Sequence, residues 1–172
     1  VEPTLGGMQA DGSPYRGILF VGLMLTPDGP RVVEYNCRLG DPETQAVLPL
    51  VDCDWTGVFG AMARHDLSGI RLTVAQQHAA TVVLASEGYP GSYPKGRVIS
   101  GIEEAEATGA LVFHAGTQQA DSGDILTSGG RVLSITGRGD SLRAAVDQAY
   151  AGADAIHFEG KTLRRDIAHR AL

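Results

Sequence analysis

Two apolar runs joined by a four-residue turn signal constrain this chain most. Residues 17–26 (GILFVGLMLT) and 31–37 (RVVEYNC) flank PDGP, a pattern that predicts a β-hairpin. Side chains alternate faces along a strand, so Glu34, Asn36 and Arg38 are expected on one face and Val33, Tyr35 and Cys37 on the other. The next residues, GDPETQ, read as a helix start. Asp41 suits the N-cap, Pro42 the first helical position, and Glu43 the positive end of the helix dipole.

A second helix is expected over residues 54–65, with Trp55, Val58, Phe59 and Met62 on one face. The pattern changes around SGIRLTVAQQHAA, where a domain boundary is placed. Short strands follow: TVVLAS, RVIS, ALVFHAG, DILTS and RVLSITG. The segment GYPGSYPKG reads as turns, and Ser128–Gly129–Gly130 as a hairpin turn. Residues 140–156 are amphipathic, with Asp140 or Ser141 as cap. The fold class is α+β, with one domain portion over residues 1–77 and a small α+β domain over 78–172. No internal repeat or low-complexity tract is visible.

Composition excludes several classes. The 14 Lys and Arg against 20 Asp and Glu give a net charge of −6 with no basic block, which argues against a nucleic-acid partner. No apolar run is long enough to cross a bilayer, and the first residues do not have the layout of a signal peptide. Two cysteines, Cys37 and Cys53, make neither a disulfide framework nor a metal pattern. A reducing cytoplasm fits best. The first residue is Val rather than Met, so a fragment is expected.

Other motif-like stretches do not hold. A P-loop needs glycine five positions before the Gly160–Lys161 pair, and Ala155 stands there. GRGDSL lacks the third glycine of a dinucleotide loop, Leu142 taking its place, and reads as a strand-to-helix turn. The five histidines show no metal spacing, and His114 reads as an ordinary core or surface residue.

Glu34, Asn36 and Arg38 remain. A carboxylate and an amide oxygen two residues apart on one face suit a hard cation such as Mg²⁺, which shares its sphere with phosphate oxygens. Arg38 can pair with a carboxylate or phosphoryl oxygen. The competing explanation is an edge strand with a solvated polar face followed by a capped helix, which accounts for Asp41, Pro42 and Glu43 better than for Glu34, Asn36 and Arg38.

YRGILFVGLMLTPDGPRVVEYNCRLGDPETQAVLPL, with ASEGYPGSYPKG, VFHAGT, TSGGRVLSITG and RRDIAHRAL in order, closely resembles the glycinamide ribonucleotide synthetase (phosphoribosylamine–glycine ligase) family. The resemblance covers essentially the whole chain but only the C-terminal part of the family's, less than half of it. It implies the end of an ATP-grasp domain followed by a small C-terminal domain. It also implies a reaction of purine biosynthesis: ATP phosphorylates glycine, and 5-phosphoribosylamine attacks the glycyl phosphate, giving glycinamide ribonucleotide, ADP and phosphate. By the same resemblance Glu34 and Asn36 are ligands of Mg²⁺ or Mn²⁺, and Arg38 faces the acyl phosphate as a catalytic residue. Asp41 and Glu43 meet the ammonium of glycine or the ribosylamine, with capping as the competing explanation. Gly22 stands where many ATP-grasp enzymes carry a second acidic ligand, as it does in the synthetases. The missing N-terminal part of the enzyme would be a required partner, leaving this chain inactive alone. Another ATP-grasp ligase or carboxylase, biotin-carboxylase-like, and a non-catalytic fragment are the alternative readings.

Overall fold

The computed structural model describes all 172 residues. In chain order the elements are α1 (Glu2–Ala10), β1 (Phe20–Thr26), β2 (Gly29–Asn36), α2 (Glu43–Val47), a 3₁₀ turn (Leu48–Leu50), β3 (Val51–Asp52), α3 (Trp55–Arg64), β4 (Thr73–Val74) and β5 (His78–Ser86). There follow β6 (Val98–Ile99), α4 (Ile102–Ala107), β7 (Leu111–His114), β8 (Thr117–Gln119), β9 (Ile125–Thr127), β10 (Arg131–Gly139), α5 (Leu142–Ala155) and β11 (Lys161–Thr162). The chain divides into two compact units. One comprises Val1–Gly40 and Asp52–Thr73, the other Asp41–Val51 and Val74–Leu172.

The first unit contains the expected hairpin. β1 and β2 pair antiparallel from Thr26↔Gly29 to Phe20↔Asn36. Gly29 takes the positive φ that the tight connection requires, and Thr26 Oγ1 donates to Gly29 O at 2.7 Å. The register slips once, because Gly22 pairs with Glu34 while Leu23 pairs with Val32. Val33 is thus an extra residue, a bulge that re-aims the end of β2. Neither face of this two-stranded ribbon is fully covered, and Leu25 is 83% exposed. Helix α3 lies within the expected limits and ends at His65 in the left-handed region. Of the expected face, Trp55, Val58 and Met62 are partly covered, and Ala61 beside them is buried. Phe59, expected on that face, is exposed, its ring 5.9 Å from that of Trp55. Short Ala61, rather than a fourth large side chain, takes the most buried place.

The second unit is built on a four-stranded antiparallel sheet in the order β11–β5–β10–β7. Helix α5 crosses one face of it. Alternation on β5 turns Ala80, Val82 and Leu84 toward this face, opposite Gly137, Ile135 and Leu133 of β10. The helix answers with small residues: Ala145, Ala149, Gly152 and Ala153. The fit is close enough that a Cβ on Gly137 would stand 2.1 Å from Ala145 O and 2.5 Å from Ala149 N. Gly137→Ala is therefore expected to destabilise the protein by about 2–3 kcal/mol, lowering Tm by roughly 4–12 °C for a chain of this size. A calorimetric scan with unchanged Tm would show that the helix can lift off the strand at no cost.

Ser141 Oγ caps α5 by accepting from Ala144 N at 3.2 Å, so GRGDSL is the strand-to-helix turn expected. The C-terminal end of α5 is finished by Lys161, whose Nζ donates to Ala153 O at 3.0 Å and also to Ile156 O. Burial pulls this ammonium below the ordinary lysine range, with Asp154 opposing. The lysine of GKT is thus a helix-end partner rather than a phosphate ligand.

The Ser128–Gly130 turn does not make a hairpin. β9 belongs to a separate three-stranded sheet in the order β6–β9–β8, while β10 pairs with β5 and β7. The glycines let the chain cross between sheets. Gly129 lies against Gly116, and a Cβ on Gly130 would overlap the Tyr89 ring at 2.2 Å.

Candidate functional site

At the end of β2, Glu34 and Asn36 stand side by side, Asn36 Nδ2 donating to Glu34 Oε1 at 2.9 Å. Glu34 is exposed and Asn36 partly so. Opposite Glu34 is Gly22, where an added Cβ would come 3.2 Å from Glu34 Cγ. A larger residue at 22 would crowd the carboxylate, so the glycine keeps room beside it. Both side chains retain oxygen acceptors beyond their mutual bond. Nowhere does the chain bring together three His, Cys, Asp or Glu side chains as a metal site. It therefore offers two neighbouring oxygen donors rather than a cage. That set fits an ion whose sphere is completed by phosphate oxygens and water, as Mg²⁺ prefers.

Arg38 lies beyond the last residue of β2, in a bend. Its Nη1 donates to Leu39 O at 2.8 Å, so its direction is set by the local chain rather than by strand alternation. In the same unit, the Tyr15 hydroxyl donates to Ile18 O at 2.6 Å. Its pKa is raised by desolvation, with Cys37 adding to the effect. Both cysteines are free thiols.

Asp41 and Glu43 belong to the second unit. The expected cap is not formed: α2 starts at Glu43, with Pro42 in the capping position and no side-chain cap bond. The Asp41 carboxylate turns to Arg131 instead. Arg131 Nη2 donates to Asp41 Oδ2 at 2.8 Å and Nη1 to Asp41 O at 2.9 Å. Gln45 Nε2 donates to the other carboxylate oxygen, Oδ1, at 3.1 Å. A guanidinium offers a charged, two-point donor where a helix start offers neutral N–H groups, so it wins the carboxylate. One turn further on, the buried Thr136 hydroxyl donates to Gln45 O at 3.0 Å and takes its own proton partner from Thr81 at 2.7 Å. Residues 41–51 are thereby fastened to the sheet of the second unit. Glu43 is exposed at the start of α2. No local signal pointed to Arg131, which lies 90 residues from Asp41.

The segment GYPGSYPKG folds on itself. A Cβ on Gly88 would meet Ser92 O at 2.2 Å, Tyr89 and Tyr93 pack with ring centroids 6.3 Å apart, and Lys95 Nζ lies 5.9 Å over Tyr93. His114 Nδ1 bonds the Thr117 hydroxyl at 2.9 Å.

Residues 79–170, more than half of the chain, match the family described as phosphoribosylglycinamide synthetase, C domain. The chain belongs to this family. Residues 1–44 match the ATP-grasp (A) domain of the same synthetase. Among relatives, this chain is 49% identical to the phosphoribosylamine–glycine ligase of Nostoc sp. over 99% of its own length and 40% of that protein's. It is 45% identical to the trifunctional purine biosynthetic protein adenosine-3 of Homo sapiens, over all of its length and 17% of the human protein's. A crystal structure of phosphoribosylamine–glycine ligase from Thermotoga maritima matches 95% of this chain with a TM-score of 0.78 at 40% identity. That match, too, takes in 40% of the solved chain. The chain thus spans about two fifths of the single-function relatives it matches.

Proposed function

We propose that this chain is part of an ATP-dependent ligase that joins glycine to 5-phosphoribosylamine, giving glycinamide ribonucleotide, ADP and phosphate in purine biosynthesis. The observation that carries this reading is the match, at 49% identity, between essentially the whole chain and proteins named as that ligase. On this reading residues 1–77 close an ATP-grasp domain and residues 78–172 form a small C-terminal domain. ATP, glycine and phosphoribosylamine are the substrates, the remaining part of the enzyme is the partner, and the cytoplasm is the site of action.

Glu34 and Asn36 would hold Mg²⁺ or Mn²⁺, which neutralises charge on the transferring phosphate. Glu34 brings the negative charge and Asn36 orients it through the 2.9 Å bond. Arg38, with its remaining donors, would face the glycyl phosphate. Asp41 and Glu43 would meet an ammonium or amine.

The test is nucleotide turnover by a full-length synthetase carrying this segment. ATP hydrolysis should depend on glycine and phosphoribosylamine, and bicarbonate should not replace glycine. Bicarbonate-dependent turnover would make the enzyme a carboxylase instead. In the same assay Arg38→Lys should lower glycine-dependent turnover about tenfold or more, the scale of one charge-assisted hydrogen bond. The affinity for ATP should change little. Equal losses in both would mean that Arg38 only supports the bend.

A further inference from the structure

We propose that Arg131 is a positioning residue for the ligation, setting the Asp41 carboxylate to receive the amine of a substrate; the proposal rests on the ligase reading above. Arg131 holds Asp41 at two points, the side chain through Nη2 and the backbone carbonyl through Nη1. Rotation of the carboxylate is further stopped by Gln45 on its other oxygen. A carboxylate has about four acceptor positions, and these two bonds use one on each oxygen. Asp41 remains 40% exposed, so its outward acceptor positions face solvent in a fixed direction. A cationic amine is the ligand that such a carboxylate takes.

Arg131 is also well founded. It is the first residue of β10, where its backbone carbonyl accepts from Gly116 N at 2.9 Å and its strand is paired on both sides. The glycine before it seats the Tyr89 ring. A functional carboxylate held from a paired strand is placed more precisely than one left to its own loop. An ion pair this exposed, 37% and 40%, adds little to stability. Orientation, rather than folding, is what the two-point contact supplies.

The experiment uses full-length synthetase and measures KM for glycine, phosphoribosylamine and ATP separately, with kcat and Tm. Wild type must first show glycine-dependent ligation; if it does not, the ligase reading fails and this proposal with it. Given ligation, Arg131→Met should raise KM for one of the two amine substrates about tenfold or more. KM for ATP should stay within about twofold, with Tm little changed. Which amine responds identifies the one Asp41 meets. Arg131→Lys keeps the charge but not the fork and should recover only part of the effect. In an Asp41→Asn background, adding Arg131→Met should cost little more, because both changes act through one carboxylate. The proposal is overturned if both amine KM values stay at wild-type levels, or if the two substitutions multiply. It is also overturned if lost activity is fully explained by lost folded protein. Should the Met variant not fold, the Lys variant in the same cycle decides.

Discussion

Replacing Glu34 by Gln in a full-length synthetase is expected to lower ligation by about a hundredfold or more while leaving the fold intact. Gln keeps the shape and the bond to Asn36 but removes the charge, and Glu34 is the one acidic side chain at the end of β2. Gly22 across the hairpin provides no second carboxylate, so no neighbour on that strand pair takes over. Because Glu34 is exposed, the change should cost no more than about 0.5 kcal/mol in stability. The measurement is product formation across a magnesium series, with Tm as the control. Partial recovery at high magnesium would agree with weakened metal binding. Near-normal turnover at ordinary magnesium would remove Glu34 from the metal site.

The residues behind this prediction were visible in sequence because a hairpin is a local object. Alternation, PDGP and the length of each run all lie within about twenty residues, and they give strands, turn and pairing together. What they could not give is the bulge at Val33, since one extra residue depends on how the strands twist against each other rather than on composition. The cap expected at Asp41 is absent for a related reason. Its local surroundings, Pro42 and Glu43, favour a helix cap, and the sequence holds no sign that Arg131 would bid for the same carboxylate. The Ser128–Gly130 turn has the composition of a hairpin, but the strands on its two sides find partners elsewhere. Helix α4 was not anticipated at all. It has only six residues, is preceded by Gly101 at positive φ in the capping position, and a Cβ on that glycine would strike Ala155 O at 2.0 Å. Its existence follows from packing beside α5, although Glu103 and Glu104 in the first turn were a usable cue. Long elements with one clear period were legible, and those whose identity depends on a distant neighbour were not.

The 172 residues on their own are expected to form no glycinamide ribonucleotide, yet their second unit should fold. The relatives named as the ligase are about two and a half times as long, this chain covering 40% of them. Rate in phosphoryl transfer comes chiefly from holding the reactants in place, and Glu34 with Asn36 supplies only part of one metal sphere. The hairpin adds a structural reason. A two-stranded ribbon is marginal in water unless its apolar side chains are covered, and Leu23, Met24, Leu25, Val32 and Val33 are all exposed. The second unit has what the hairpin does not: a closed core in which Val82, Leu84, Leu133, Ile135 and Ile156 are completely buried. Hydrogen exchange on the isolated chain should therefore find slow amides in β5, β10 and α5 and fast ones in β1 and β2. The same sample, with its mass confirmed as this chain alone, is assayed for ligation. Multiple turnovers would mean that these residues hold the whole reaction site. Uniformly fast exchange would mean that the second unit, too, depends on residues beyond this chain.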